Sequence, residues 1–254
     1  MAAEGADSRA RRIPEATVVR LPVYQRILAE LLRGGSGTVS SEQLAALARV
    51  NAAKVRKDLS LLGSFGTRGT GYDAAFLVAQ IDKALGVDRD WPVAIVGIGN
   101  LGRALVNSEG FSSRGFRVAA LYDVDPEVVG EQVGPVAVRH VDQLAALAGA
   151  AAAVTPPVEV DRLAIGVIAT PADAAQAVAD ALVAAGVGSI LNFAPRVLVV
   201  PPDVLLRYVD LSIELQVLSF YESRRAADDD GRDDAGAGGG VLRSVGLSPA
   251  PDAG

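Results

Sequence analysis

The chain has 254 residues, half of them apolar, with no cysteine and one histidine, which excludes disulfides and thiol switches and argues against a resident metal site. No apolar run reaches the roughly 18 residues of a membrane span, and the N-terminus lacks the apolar stretch of a signal peptide, so we expect a cytoplasmic protein. The net charge of −6 divides unevenly: residues 1–90 hold 13 Lys and Arg, including all three lysines, against 10 Asp and Glu, so we expect nucleic-acid contacts in this first part alone.

The first part has the pattern of a helix-turn-helix. A polar arm over residues 1–12 is expected to be disordered, and a helix is predicted from Pro22 to Arg33, before a glycine-rich break. Ser40 and Gln43 form a capping box that opens a second helix, and a third follows after a short turn.

The third helix is predicted from Ala52 to Leu62 with Asn51 as its N-cap. At helical spacing, Val55, Leu59 and Leu62 share one face. The residues around the opposite face are candidate DNA contacts: Lys54, Arg56, Lys57 and Ser60. An ordinary solvated surface helix is the alternative for this segment taken alone.

A glycine-rich segment from Ser64 to Tyr72 follows, and it is typical of a hairpin that could serve as a wing. Ser64 and Arg68 are the candidate DNA contacts within it. A further helix is predicted from Ala74 to Leu85, before a boundary at Asp88–Pro92. We therefore expect a winged-helix DNA-binding domain over residues 13–90.

A phosphate-binding glycine motif opens the second part. It follows an apolar strand at Val93–Val96 and comprises Gly97, Ile98, Gly99, Asn100, Leu101 and Gly102. Gly97 allows a tight turn, Gly99 allows a pyrophosphate to approach, and Gly102 allows close packing of helix on strand. Asp123 ends the next apolar run, where its carboxylate can bind both ribose hydroxyls and repel a 2′-phosphate. The context predicts NAD(H) rather than NADP(H).

Alternating apolar runs and alanine-rich helices predict an α/β fold, a doubly wound parallel Rossmann sheet over residues 91–209. The predicted elements are a helix over 102–107, strands over 117–122, 136–139 and 163–169, a helix over 172–185, and strands over 189–191 and 197–199. Thr170 and Pro171 follow one strand end, and Asn192 and Phe193 follow another. They are candidates for the rim of a nicotinamide pocket, with ordinary turns as the alternative.

The last predicted helix runs from Asp210 to Ser223, within a segment assigned to residues 210–225. Leu211, Leu215 and Leu218 form one apolar stripe, and a second stripe lies beside it. Two stripes exceed what one sheet buries, so a second chain could cover the rest. Residues 226–254 are rich in Asp, Gly and Ala and are expected to form a disordered acidic tail.

The order of these parts resembles the Rex family of bacterial redox-sensing transcriptional repressors, over roughly residues 13–223. The residues that carry the resemblance are Ile13–Ala16, Arg20–Leu21, Tyr24, Ser40–Leu44, Val55–Ser60, Gly63–Gly69, Val96–Gly102, Asp123–Pro126, Ile190–Pro195 and Val209–Asp210. The resemblance implies a homodimer whose last helix is exchanged between subunits. It also implies repression of respiratory and fermentative genes at inverted-repeat operators when NADH is scarce, and release by NADH.

The resemblance also assigns roles to single residues. Arg56 and Lys57 match residues that approach bases, and Arg68 matches the wing. Asp210 matches an aspartate near the nicotinamide, and Arg26 matches an arginine that reaches towards it, which would couple the two domains. Ser108 departs from the family, since relatives have a tyrosine there, so the switch either works without that phenol or responds more weakly to NADH.

Two alternatives of other classes stay open. One is an NAD-dependent dehydrogenase with an accessory DNA-binding-like domain, although the nucleotide domain has no Tyr-x-x-x-Lys pair and no lysine at all. The other is a Rossmann module for another adenine ligand, such as coenzyme A. Asp123 argues against coenzyme A, whose ribose carries a 3′-phosphate. We expect no catalytic residues, and the dinucleotide as a regulatory ligand.

Overall fold

The computed structural model describes residues 13–63, 71–112, 114–144 and 163–230. The chain divides into two compact units between Asp88 and Arg89, close to the boundary that the sequence predicts. The polar arm over residues 1–12, the wing contacts Ser64 and Arg68, and the tail from 231 to 254 lie outside the described residues.

The described residues of the first unit form four helices and a two-stranded antiparallel sheet. Its elements are α1 (Glu15–Arg33), β1 (Thr38–Val39), α2 (Ser41–Ala48), α3 (Ala52–Leu62), β2 (Tyr72–Asp73) and α4 (Ala74–Leu85). The predicted bounds of α3 and α4 are confirmed. The predicted start of α1 at Pro22 is wrong, because the helix begins at Glu15 and buries Thr17 and Leu21 ahead of the proline. Pro22 lies exposed inside the helix, where it removes one backbone donor.

Caps and one left-handed residue shape the helix-turn-helix. The Ser40 hydroxyl accepts from Gln43 N at 3.1 Å, and the Gln43 side chain accepts from Ser40 N at 2.9 Å. The Asn51 side chain accepts from Lys54 N at 2.7 Å and so begins α3. Between them, Arg49 adopts φ +56° and ends α2. It is the one non-glycine residue with positive φ in the described part of the chain.

A buried carboxylate fixes α3 against α1. Asp58 is 1% exposed and accepts four hydrogen bonds: two from Arg20 at 2.7 and 2.8 Å, one from the Tyr24 hydroxyl at 2.9 Å, and one from the Thr17 hydroxyl at 2.9 Å. Burial alone would raise the pKa of Asp58, but the hydrogen bonds from Arg20, Tyr24 and Thr17 outweigh it and lower the pKa below its ordinary value of 3.8. The carboxylate is therefore ionised at neutral pH.

The second unit contains a seven-stranded sheet in the order β5-β6-β4-β3-β7-β8-β9. Its elements are β3 (Trp91–Val96), α5 (Asn100–Val106), α6 (Glu109–Ser112), β4 (Phe116–Asp123), β5 (Gln132–Val133), β6 (Val136–His140), β7 (Ile165–Ile168), α7 (Ala175–Ala184), β8 (Ser189–Asn192), β9 (Leu205–Tyr208) and α8 (Leu211–Asp230). All neighbouring strands are parallel except β5 and β6. The predicted doubly wound parallel sheet is confirmed, since the six parallel strands follow the Rossmann order.

Two boundaries in this unit correct the sequence prediction. The predicted strand at Val197–Val199 is wrong, because these residues form a loop, with Leu198 buried and its two neighbours exposed, and the outer strand is β9. The apolar run between Pro195 and Pro201 has the composition of a strand. In the described part of the chain, however, it is Leu205–Tyr208 that pairs with β8. The helix α8 also extends to Asp230, five residues beyond the segment that the sequence predicts for it, and Ala226 and Ala227 favour this continuation.

Removing the charge of Asp58 should destabilise the first unit. We expect Asp58→Asn to lower its free energy of unfolding by about 3 kcal/mol, because the substitution leaves the Arg20 guanidinium without a counter-charge. Urea unfolding followed by far-UV circular dichroism measures this loss. Fluorescence of Trp91, the single tryptophan, reports the second unit and should be unchanged. Glu30→Gln, an exposed carboxylate on α1, is the matched control.

The stability that Asp58 contributes depends on pH in a defined direction. Because the folded-state pKa of Asp58 is lowered, its stabilisation is present above pH 3.8 and is lost as the pH falls below that value. Wild-type stability of the first unit should therefore fall more steeply below about pH 4 than that of Asp58→Asn. Parallel curves for the two proteins would show that the Asp58 contacts contribute little.

Candidate nucleotide and nucleic-acid sites

The predicted nucleotide-binding residues gather at one edge of the sheet. Gly97, Asp123, Thr170, Phe193 and Asp210 all lie at or just beyond the carboxyl ends of parallel strands, namely β3, β4, β7, β8 and β9. The chain passes to opposite sides of β3, towards β4 and towards β7, so a crevice opens at this point of the edge. Doubly wound sheets bind ligands at such a crossover point.

The glycines of the motif differ in what surrounds them. Gly97 has φ +93°, and a Cβ there would lie 2.7 Å from the carbonyl of Ala169. A Cβ on Gly102 would collide with the carbonyl oxygen of Gly97. Around a Cβ on Gly99, by contrast, no atom lies within 4 Å. Gly97 and Gly102 are therefore required by the protein's own packing, whereas the open space at Gly99 fits a pyrophosphate that approaches the backbone.

The middle residues of the motif divide between core and surface. Ile98 is buried beneath the turn, so it offers its backbone alone, and Asn100 and Leu101 are exposed. Asp123 accepts from Ile98 N at 2.6 Å, Val124 N at 2.7 Å and Asp125 N at 3.0 Å. These bonds orient the half-buried carboxylate beside the glycine turn. A carboxylate offers about four lone-pair positions, so these three bonds leave room for about one more donor, such as a ribose hydroxyl.

The Thr170 hydroxyl lies on the other side of the crevice. Its Oγ1 is buried and has no hydrogen-bond partner among the described residues. Buried polar atoms are nearly always satisfied, so an unpaired hydroxyl next to Gly97 and the exposed Pro171 suits a bound polar group. The open cradle at Gly99, the Asp123 carboxylate and this hydroxyl together fit a dinucleotide.

Asn192 differs from the other rim candidates, since its side chain is occupied. It is 1% exposed and bonds the main chain of Ala194 through both its amide nitrogen and its oxygen, and the carbonyl of Arg196. These bonds hold the turn that carries Phe193, whose backbone N donates to Ile168 O at 2.9 Å. Asn192 thus shapes the rim, and its role as a direct cofactor contact stays a prediction.

Asp210 begins α8. Its Oδ1 accepts from the Ser212 hydroxyl at 2.6 Å and from Ser212 N at 2.8 Å. These bonds lower the pKa of Asp210, so the carboxylate is ionised at neutral pH. Arg26 is exposed on α1 in the first unit, and its pairing with Asp210 stays a prediction.

The candidate nucleic-acid interface is the exposed face of α3. Val55, Asp58 and Leu59 are buried, and the predicted contacts are all exposed: Lys54, Arg56, Lys57 and Ser60. The division between faces agrees with the sequence prediction. The Arg56 guanidinium donates to the Ser41 hydroxyl and to Glu42 Oε1, both at 2.9 Å, and so links α3 to α2. To reach a base, Arg56 has to leave Glu42.

The sequence interpretation overlooked Asp58, which holds this face outward. An aspartate one residue after Lys57 falls on the apolar face of α3, and that mismatch was the available signal. Elsewhere in the described ranges, acidic and histidine side chains form no group suited to a metal ion, and no helix has the length and apolarity to cross a membrane.

Comparison with known proteins identifies the family. Residues 12–60 match a family model described as a putative DNA-binding protein N-terminus, and residues 88–196 match one described as a CoA binding domain. The redox-sensing transcriptional repressor Rex of Streptomyces coelicolor is 58% identical over 228 residues, covering 90% of this chain and 84% of that protein. The chain belongs to the Rex family.

Other Rex proteins and solved structures agree. Rex of Syntrophomonas wolfei is 46% identical over 210 residues, which span 83% of this chain and 95% of that protein. A crystal structure of the repressor RSP with β-NAD⁺ and operator DNA is 33% identical, has a TM-score of 0.75 and covers 88% of this chain and 99% of its own. RSP with β-NADH is 32% identical, with a TM-score of 0.74 over 86% of this chain and 98% of that one.

The two glycines at the start of the motif should respond differently to alanine. We expect Gly99→Ala to keep the fold and to weaken NADH binding at least about tenfold, because the methyl group enters the space for the pyrophosphate. Gly97→Ala should instead lower the melting temperature, since its φ and the Ala169 carbonyl exclude a Cβ. Gly188→Ala, next to open space at the amino end of β8, is the control. Calorimetric titration and thermal unfolding measure both effects, and equal NADH affinity for Gly99→Ala and Gly188→Ala would refute the assignment.

Proposed function

We propose that this Rex-family chain is a transcriptional repressor that senses the NADH/NAD⁺ ratio. It binds operators of respiratory and fermentative genes when NADH is low, and NADH releases it. The observation that carries the proposal is the pairing, in one chain, of a basic outward α3 face with a dinucleotide cradle at Gly97–Gly102 and Asp123. The names of its relatives, redox-sensing repressors, support the same reading.

The ligand of the cradle is NAD(H) rather than coenzyme A. Asp123 lies beside the glycine turn as a carboxylate that suits two free ribose hydroxyls. Coenzyme A would bring a 3′-phosphate against this negative charge, which disfavours it. The description of the matched model as a CoA binding domain therefore reflects the shared Rossmann fold, on this proposal, and not the ligand.

The dinucleotide acts as a signal rather than as a hydride donor. Dehydrogenation needs an acid or base near the nicotinamide. His140 aligns with Asp123 in the β4–β6 register and so belongs to the adenosine side of the crevice. The nicotinamide half, around β7 and β8, contains Thr170, Asn192 and Phe193, of which none titrates near neutral pH. This distribution favours a regulator over the dehydrogenase alternative.

The two units are coupled through Asp210 and Arg26 in this proposal. Asp210 follows β9 at the nucleotide edge and is ionised, so it can hold an arginine of the first unit. Ser108, exposed between α5 and α6, has a side chain too short to act in place of the tyrosine that the resemblance implies. The switch then either works through Asp210 and Arg26 without that phenol or responds more weakly to NADH.

The repressor acts as a homodimer in the cytoplasm. Along α8 the large apolar side chains are about half exposed or more: Leu211, Ile213, Leu215, Val217, Leu218 and Phe220. A second copy that exchanges this helix would cover them. Two winged helices related by a two-fold axis suit an inverted-repeat operator.

A titration of operator binding against both forms of the dinucleotide tests the function. We expect NADH to weaken operator affinity about tenfold or more and NAD⁺ to change it little, because only a ligand with different affinities for two states shifts their equilibrium. Fluorescence anisotropy of a labelled operator at several NADH/NAD⁺ ratios measures the effect. Equal effects of NADH and NAD⁺ would reject redox sensing, and NADH oxidation coupled to a substrate would revive the dehydrogenase.

Lys57 should read operator sequence. We expect Lys57→Ala to weaken operator binding about tenfold and random DNA much less, because a base contact contributes about 1–3 kcal/mol of discrimination. Lys83→Ala, which removes an exposed lysine of α4, is the control of equal charge change. Equal losses of affinity for operator and random DNA would make Lys57 a phosphate contact.

Arg68→Ala in the wing should lower the affinity for both operator and random DNA and make that affinity less dependent on salt concentration.

A further inference from the structure

An ion pair next to the glycine turn has no part in forming the nucleotide cradle. Arg103 is the fourth residue of α5, directly after Gly102, and Glu131 lies in the loop between β4 and β5. The guanidinium donates two parallel bonds to the two carboxylate oxygens, at 2.5 and 2.6 Å. This bidentate geometry occupies the side of the arginine that would otherwise receive a planar or tetrahedral oxyanion.

Both partners are held by their main chains. Arg103 N donates to Gly99 O at 3.0 Å, within the glycine turn itself. Glu131 N donates to Val128 O at 3.1 Å, and Glu131 O accepts from Val138 N of β6 at 2.9 Å. The pair is therefore built from anchored positions and not from two loose surface side chains.

The position of Arg103 relative to Asp123 gives the pair its chemical meaning. Both residues are attached to the same glycine turn: Arg103 N donates to Gly99 O at 3.0 Å, and Asp123 accepts from Ile98 N at 2.6 Å. The hydrogen bonds to Glu131 first, and the charge of Asp123 to a smaller extent, raise the pKa of Arg103. A Rossmann site that accepts a 2′-phosphorylated ribose uses an arginine near the strand end where this chain has Asp123. Arg103 would supply that cation if it were unpaired.

We propose that Glu131 holds Arg103 away from the ribose. The Arg103–Glu131 pair then acts together with Asp123 to exclude dinucleotides that bear a 2′-phosphate. This inference rests on the proposed NAD(H) site. Discrimination between dinucleotides explains this ion pair better than a contribution to folding stability does. The side chains are 35% and 41% exposed, and ion pairs so exposed contribute little to folding.

The test is a calorimetric titration of NADH and NADPH against variants of the full chain. We expect Glu131→Gln to increase NADPH affinity about tenfold, equivalent to 1.4 kcal/mol, and to change NADH affinity less than about threefold. Adding Arg103→Gln should abolish the gain, because the freed guanidinium is what binds the phosphate. Glu127→Gln, with the same charge change in the same exposed loop, should leave both affinities unchanged.

A second background keeps weak NADPH binding measurable. In Asp123→Asn, which removes the other repulsive charge, Glu131→Gln should again improve NADPH binding about tenfold and Arg103→Gln should again cancel the gain. The inference is overturned if the gain in NADPH affinity persists without Arg103 or if Glu127→Gln reproduces it. It is also overturned if the affinities for NADH and NADPH change equally, which is the result expected if the ion pair only stabilises the loop.

These outcomes are distinct from failure of the proposed function. A wild-type chain that binds NADH but keeps its operator would reject redox-controlled repression, while the NADPH titrations would still support or overturn the role of Glu131. A wild-type chain that binds neither dinucleotide would overturn both proposals.

Discussion

The Asp58 carboxylate is the contact on which the DNA-binding unit depends. It lies on α3 between the outward Lys57 and the buried Leu59, and its four hydrogen bonds come from α1. Apolar packing tolerates some rotation of a helix, because dispersion and burial have no direction. A buried carboxylate does not, since any rotation leaves an unpaired charge that costs several kcal/mol. Asp58 therefore sets which side of α3 is presented to solvent.

A second aspartate has a comparable effect in the nucleotide unit. Asp123 receives backbone donors from the glycine turn and from its own strand end, so its direction is set before a ligand arrives. The binding site is then largely pre-organised, and ordering it consumes little of the binding free energy. In both units, an aspartate fixed by the fold positions the groups that would contact the ligand.

The features that the sequence predicts well are those decided by residues close together in the chain. Ser40 and Asn51 cap helices through contacts three residues away, and Gly97 is required by one turn, so each is legible from a short window. The Asp58 contacts join residues 34 to 41 positions apart, and those of Arg103 and Glu131 span 28. No local pattern encodes such pairs. The same reason explains the misplaced outer strand, because Val197–Val199 and Leu205–Tyr208 are both short apolar runs and only the β8 edge decides which one pairs.

The size of the proposed switch limits what the predicted pairing of Arg26 with Asp210 could do by itself. Reversing a two-state equilibrium from 99:1 to 1:99 requires about 5.5 kcal/mol of differential binding. An exposed ion pair contributes only about 0.2–1 kcal/mol, because water solvates both charges well. Apolar surface contributes roughly 25 cal/mol per Å² when it is removed from water, and α8 exposes six large apolar side chains next to Asp210. Repacking that helix in a dimer could supply the larger share, with the ion pair selecting which packing forms.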